Sequence, residues 1–152
     1  MTDDRSPDDA ARAIIDANLY MVLGTADTVG RPWASPVYYA PVGYRDFFWV
    51  SDPDATHSRN LAARPEIATV IFDSTVPIGS GQAVYMSAVA VEVAPEDCAE
   101  GLEAFSRRGV GHGGSEWTVD DVQAPAKYRL YRASAVDQFV LDERDTRLPV
   151  NL

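Results

Sequence analysis

Cysteine, histidine and basic residues are all scarce in this chain. A single cysteine, Cys98, excludes an internal disulfide and any zinc site of the CxxC kind. Two histidines, His57 and His112, leave little from which to build a metal cluster, and none is expected. Thirteen lysines and arginines face 23 acids, for a formal net charge of −10. That balance argues against non-specific binding to nucleic acid or to an anionic membrane, both of which need a basic face. No apolar run approaches the roughly 18 residues of a membrane span. The first twenty residues carry Asp3, Asp4, Asp8, Asp9 and Asp16 and hold no apolar core of a signal peptide. A reducing cytoplasm is the expected compartment.

What is present suits one globular domain over residues 1–152. Hydrophobic residues make up 46% and charged residues 24%, which is ordinary for a folded chain able to bury one core. Ser6-Pro7-Asp8-Asp9 predicts a helix start: a serine cap, proline in the first turn, then acids. Ala10, Ala11, Ile14 and Ile15 continue it at helical spacing to near Asn18. Tyr20 to Ala26, Trp33 to Ala40 and Phe47 to Ser51 read as strands, separated by turns at Asp27–Gly30 and Pro41–Tyr44. Turns that short carry only antiparallel pairing.

A short helix from Pro53 to Ala63 stops at Pro65. A strand from Ile67 to Phe72 and a Gly/Pro/Ser loop follow. Gln82 to Val93 then reads as a long strand, apolar on both faces. A strand buried on both sides in so small a chain implies a barrel with a helix or a second subunit outside it. Pro95 to Arg108 predicts a helix and Gly109 to Ala126 a polar loop. Tyr128–Tyr131 and Ala135–Leu141 predict two closing strands. The expectation is an α+β, mostly β fold: a barrel of six or seven antiparallel strands with flanking helices.

Several motifs bear on chemistry. Gly109-Val-Gly111-His-Gly113-Gly114 matches GxGxxG by letter. A dinucleotide fingerprint needs a strand before it and a helix opening inside it. Here a helix precedes, so the segment reads as a surface loop. Asp97, Glu100 and Glu103 form an acidic helical row best explained as a solvated face. Ser115 follows "GHGG", yet no GxSxG exists to support hydrolase chemistry. Pro36 lacks a ladder donor and marks an edge or bulge.

His57-Ser58-Arg59 sits at the start of the short helix. Free N–H groups at a helix start, a hydroxyl and an arginine fork together suit an anion. A solvated helix face, capped by Asp52 or Asp54, explains the same residues equally well. Trp33, Ser35, Val37 and Tyr39 share one strand face, and Trp49 and Ser51 share a face of the next. A flat ligand could lie there with its phosphate at the helix start.

The stretches "LGTADTVGRPWASPVYYA", "FFWVSDPDATHSRNLAARPEIATVIF" and "GQAVYMSAVAVEV", in that order, resemble the pyridoxamine-5′-phosphate-oxidase-like, flavin-binding split-barrel family over residues 7 to 141. The resemblance implies a six-stranded antiparallel barrel and a homodimer with two FMN molecules at its interface. It implies a flavin ring at Ser35, Pro36 and Val37, phosphate at Ser51, His57, Ser58 and Arg59, and a polar contact from Gln82. Trp117 and Arg132 are the candidates for completing the site from the second subunit. True pyridoxamine phosphate oxidases carry an Arg near Ser35 and a Lys near Ala40. Both are missing here, and the C-terminal basic residues reduce to Arg147, so pyridoxamine phosphate is not the expected substrate. The expected function is an FMN-dependent oxidoreductase acting on a small molecule, with no catalytic side chain assigned. The alternatives are a deazaflavin-coenzyme-dependent reductase and a non-enzymatic flavin or haem carrier, the latter needing His57 or His112 as iron ligand.

Overall fold

A computed structural model describes residues 4–152. The chain starts with α1 (Pro7–Ala17), capped as its sequence predicts. Ser6 Oγ accepts from the Asp9 N–H, and Pro7 opens the first turn. Eight strands follow: β1 (Tyr20–Ala26), β2 (Pro32–Tyr38), β3 (Ala40–Val42), β4 (Asp46–Ser51), β5 (Glu66–Phe72), β6 (Ala83–Glu92), β7 (Arg129–Leu141) and β8 (Arg147–Pro149). α2 (Thr56–Ala63) lies between β4 and β5, and α3 (Ala99–Val110) follows β6 after a 3-10 turn at Pro95–Asp97.

Every strand pair is antiparallel, in the order β2-β1-β5-β6-β7-β4-β3, with β8 added alongside β7. The two ends of that order, β2 and β3, are consecutive in the chain and separated by Tyr39 alone. The chain thus leaves one edge of the sheet and joins the other within one residue, which curls the sheet into a split barrel. Tyr39 is the pivot: its side chain is fully buried and its hydroxyl donates to the Ile15 carbonyl at 2.6 Å.

The strand reading needs three corrections. The expected strand Trp33–Ala40 is two strands, because residues beyond Tyr39 pair with β4 rather than β1. The expected pair Tyr128–Tyr131 and Ala135–Leu141 is one 13-residue strand. Arg132 to Ser134 stay in the ladder because β4 pairs them on one side and β6 on the other. A bulge opposite Ser87 and Ala88 leaves Val136 unmatched and exposed. The third is β8, which gains its structure only from pairing with Phe139–Leu141.

Residues 84, 86, 88 and 90 of β6 point into the barrel with Met21, Leu23, Ile71, Trp49 and Tyr131. The outer face behaves differently from the doubly buried strand expected. Within one chain Val89 and Val91 remain 41% and 38% exposed. α3 covers the other side of the barrel, against Phe48 and Leu130. Gly101 makes that approach possible, since a Cβ there would run into the Phe48 ring.

Candidate functional site

β4 ends at Ser51 and the chain turns directly into α2. Asp52 does not cap the helix. Its Oδ1 accepts instead from the Asp54 N–H at 2.9 Å, closing the turn before it. The residue at the helix cap is Ala55, which has no side-chain acceptor, and no acid lies in the first turn. The first-turn N–H groups of α2 therefore have no side-chain cap. Asp54 pairs instead with Arg59, whose guanidinium is 3.6 Å away on a 70% exposed side chain.

Helical geometry separates three residues that are adjacent in sequence. Successive positions turn by about 100°, so His57 and Ser58 face the barrel while Arg59 faces solvent. His57 is buried and bridges two strands. Its Nδ1 lies 3.1 Å from Ser35 Oγ on β2 and its Nε2 lies 2.9 Å from Ser51 Oγ on β4. One turn on, Asn60 Nδ2 donates to Thr25 Oγ1 on β1 at 3.1 Å. α2 is thus a plug for one end of the barrel, and its buried polar residues are hydrogen-bonded to three strands.

The exception is Ser58. It is 2% exposed, and its Oγ makes no well-formed hydrogen bond among the described residues, although it interacts with the Tyr131 phenol. It lines a cavity of about 350 Å³ with Pro53, Leu61, Glu92 and Tyr131. Burial raises the Tyr131 phenol above its ordinary pKa, with the Ser58 hydroxyl pulling it back in part. Trp49 and Tyr131 stack inside the barrel at 5.7 Å, so Trp49 belongs to the core rather than to a ligand platform.

Burial holds His57 below its ordinary pKa, favouring the neutral ring that can donate to one serine and accept from the other. The unfolded chain then binds a proton that the folded chain resists, so acid weakens the fold. Stability is expected to fall as pH drops below about 6.5, the ordinary histidine value. Thermal midpoints measured from pH 7.5 to 5 should decline, and His57→Gln should flatten that decline. An unchanged acid slope in the variant would assign the loss to other groups.

The other expected site residues are dispersed. Ser35, Pro36 and Val37 lie together on β2, which has a strand partner on one side only, the edge that Pro36 marks. Gln82 precedes β6 and lines a cleft with Pro7, Ala10 and Leu148, at the end of the strand remote from the Ser58 cavity. Arg132 is on β7 between Phe48 and Val91, with its Nε buried and without a hydrogen-bond partner among the described residues. Trp117 packs edge-on against Phe105 and Tyr128 at 6.0 and 5.8 Å. A single chain brings together Ser35, Ser51, His57, Ser58 and Arg59; it does not bring Gln82 to them.

The family model described as pyridoxamine 5′-phosphate oxidase matches residues 7–133. Among solved structures, the fold is similar to a haem-binding protein from Mycobacterium smegmatis, with TM-score 0.78 and 18% identity over 98% of this chain. This chain spans 59% of that protein's length. It is similar to HutZ, a haem storage protein from Vibrio cholerae, with TM-score 0.70 and 18% identity over 90% of this chain and 95% of that one. It is similar also to an F420 reductase, with TM-score 0.62 and 16% identity over 84% of this chain and 94% of that one. Identities this low speak for the fold alone. No curated protein matches the sequence.

Proposed function

This chain belongs to the pyridoxamine 5′-phosphate oxidase family, and from that premise we propose that it is an FMN-binding oxidoreductase, working as a homodimer on a small-molecule substrate. The observation that carries this reading is the start of α2. Its first-turn N–H groups have no side-chain cap, Arg59 stands exposed at the same end, and the buried Ser58 hydroxyl makes no well-formed hydrogen bond among the described residues. A helix start of that kind favours a phosphate. The β2 edge at Ser35, Pro36 and Val37 offers backbone groups without a strand partner to a flat ring. These residues fit a flavin phosphate better than a true pyridoxamine phosphate substrate, for which the expected Arg and Lys are missing.

Bound flavin supplies the redox chemistry. The chain's own part is to hold the phosphate with Arg59 and the α2 N–H groups, and to seat the ring on β2. His57 acts from behind, locking Ser35 and Ser51 and fixing α2 between the strands. The exposed outer face of β6, with Val89 and Val91, supports a second copy packing there. That copy is the source of Gln82, Trp117 or Arg132 if they reach the flavin. The reading predicts stoichiometric FMN that is reduced by a nicotinamide donor and reoxidised by an added acceptor. Tight FMN binding with no turnover towards any acceptor would leave a carrier, not an enzyme.

One observation favours haem as the second reading. His57 is excluded as an iron ligand because serines occupy both ring nitrogens. His112, by contrast, turns Nδ1 to the Arg108 carbonyl at 2.9 Å, so Nδ1 donates, and in the neutral ring Nε2 is free of that bond. Haem binding through His112 predicts a Soret band lost in His112→Ala. The deazaflavin coenzyme has a longer, more acidic tail, which the net charge of −10 disfavours; side-by-side titration with FMN separates the two.

A further inference from the structure

His57 is the one buried ionisable side chain of α2, and its hydrogen bonds suit two protonation states. Nδ1 lies 3.1 Å from Ser35 Oγ and Nε2 lies 2.9 Å from Ser51 Oγ. A hydroxyl is a rotor that both donates and accepts. The neutral ring donates to one serine and accepts from the other. A protonated ring donates to both, and the second serine turns its hydrogen away. Neither hydrogen bond is lost in the exchange.

Two things oppose the proton in the free protein. Burial holds the ring below its ordinary pKa. His57 is also the second residue of α2, next to the positive end of the helix dipole. The side-chain charges at this end cancel in pairs. Asp54 is 3.6 Å from Arg59, and Asp52 is 3.9 Å from Lys127, the chain's sole lysine. The other ionisable groups around α2 are engaged elsewhere. Tyr20 of β1 and Tyr38 of β2 pack on each other, and Tyr38 on Phe105. Asp46 of β4 accepts from Ser134 at the far end of that strand. Tyr85 of β6 sits between Val70 and Phe139, and Glu92 lines the Ser58 cavity. Tyr131 of β7 meets Ser58, while Arg129 donates to the Ala126 and Tyr128 carbonyls. Arg64, past the other end of α2, donates to the Thr28 carbonyl.

A phosphate dianion at the start of α2 therefore meets no net positive charge from side chains. The same turn holds Ser58, 2% exposed, whose Oγ makes no well-formed hydrogen bond among the described residues. An anion there cancels the helix end and favours the imidazolium behind it. We propose that anion binding at the start of α2 is coupled to uptake of a proton from solvent at His57, so that the cofactor site tightens towards acid and loosens towards base. This rests on the flavin reading's placing of the phosphate and adds a pH control to that site.

The test follows the histidine ring resonances of the whole protein by NMR as pH is varied. Only two histidines are present, and His112→Ala identifies which signals belong to His57. The titration is run in sodium chloride, in sodium sulfate at equal ionic strength, and with saturating FMN. Sulfate stays a dianion throughout, so its own ionisation does not enter. The His57 midpoint is expected to rise by about one pH unit with either anion, the scale of one close opposite charge. Arg59→Ala should reduce the rise in sulfate. FMN affinity should correspondingly fall about tenfold between about pH 6 and 8, and that fall should vanish in His57→Gln. Sulfate that moves His57 while FMN fails to bind would uphold the proton coupling and overturn the flavin reading. FMN that binds with the His57 midpoint unmoved would overturn the coupling and leave the flavin reading in place. A midpoint unmoved by sulfate, with no FMN bound, would overturn both.

Discussion

Replacing Arg108 with alanine is expected to cost about 3 kcal/mol of folding stability, the scale of losing several charged hydrogen bonds to part-buried acceptors. Arg108 reaches out from the last turn of α3. Its guanidinium donates to the carbonyls of Tyr39 and Asn18, and to that of Ile15 at 3.3 Å, while lying 4.6 Å from the Tyr39 ring centroid. One side chain therefore ties α3 to the end of α1 and to the residue at which the chain crosses from β2 to β3. Deleting it leaves the Tyr39 and Asn18 carbonyls without the guanidinium at the point where the barrel closes, and leaves the Ile15 carbonyl to the Tyr39 hydroxyl alone. For a chain of this size the loss corresponds to a melting temperature lower by roughly 6–12 °C. Arg108→Lys should recover only part of it, because a single ammonium cannot span three acceptors as a planar fork does. Urea unfolding of the three proteins measures this directly. A loss below about 1 kcal/mol would mean that water replaces the guanidinium at those carbonyls.

FMN affinity is expected to fall about tenfold to a hundredfold in Arg59→Ala, or about 1.5–3 kcal/mol for one charge-assisted contact to phosphate. The reason lies in the geometry of α2. Arg59 points outward, 70% exposed and paired with Asp54 at 3.6 Å, so the fork can turn to an incoming anion. Asp54→Asn should move affinity the opposite way, since it removes a competing carboxylate beside the phosphate. Both changes are on exposed side chains and should leave the melting temperature of the flavin-free protein within about 1–2 °C. Ser58→Ala separates the roles further: its hydroxyl has no well-formed hydrogen bond among the described residues to lose in the free protein, only its interaction with the Tyr131 phenol. It should leave flavin-free stability level while weakening FMN. Equilibrium titration of the four proteins checks the set, and an Arg59→Ala affinity equal to wild type would move the phosphate elsewhere.

Local signals were the most legible in the sequence. Ser6-Pro7 marks the start of α1, short glycine turns mark the meander, and Pro36 marks an edge strand because its missing N–H forbids a central one. The barrel followed from the apolar length of residues 82–93. What stayed hidden was decided by distant partners. Nothing local distinguishes Tyr39 from Tyr38, yet one is the pivot of barrel closure and the other lines an open cleft. β7 reads as two strands until β4 and β6 are set on either side of Arg132–Ser134.

The candidate site was legible as a cluster, but not in its division of labour. His57-Ser58-Arg59 are neighbours in sequence; the helix turns the first two inward and the third outward. The only hint that His57 is structural was the pair of serines at Ser35 and Ser51, which no spacing rule connects to it. The contacts among Tyr20, Tyr38, Phe105 and Trp117 had no sequence signal at all. The four rings come from β1, β2, α3 and the following loop, and only the closed barrel assembles them.

The most direct measurement is the absorption spectrum of the purified protein after FMN is added and the excess removed. The flavin reading predicts retained flavin bands, in equal number to protein chains, that diminish in Arg59→Ala. A folded protein that retains no flavin under those conditions would contradict it.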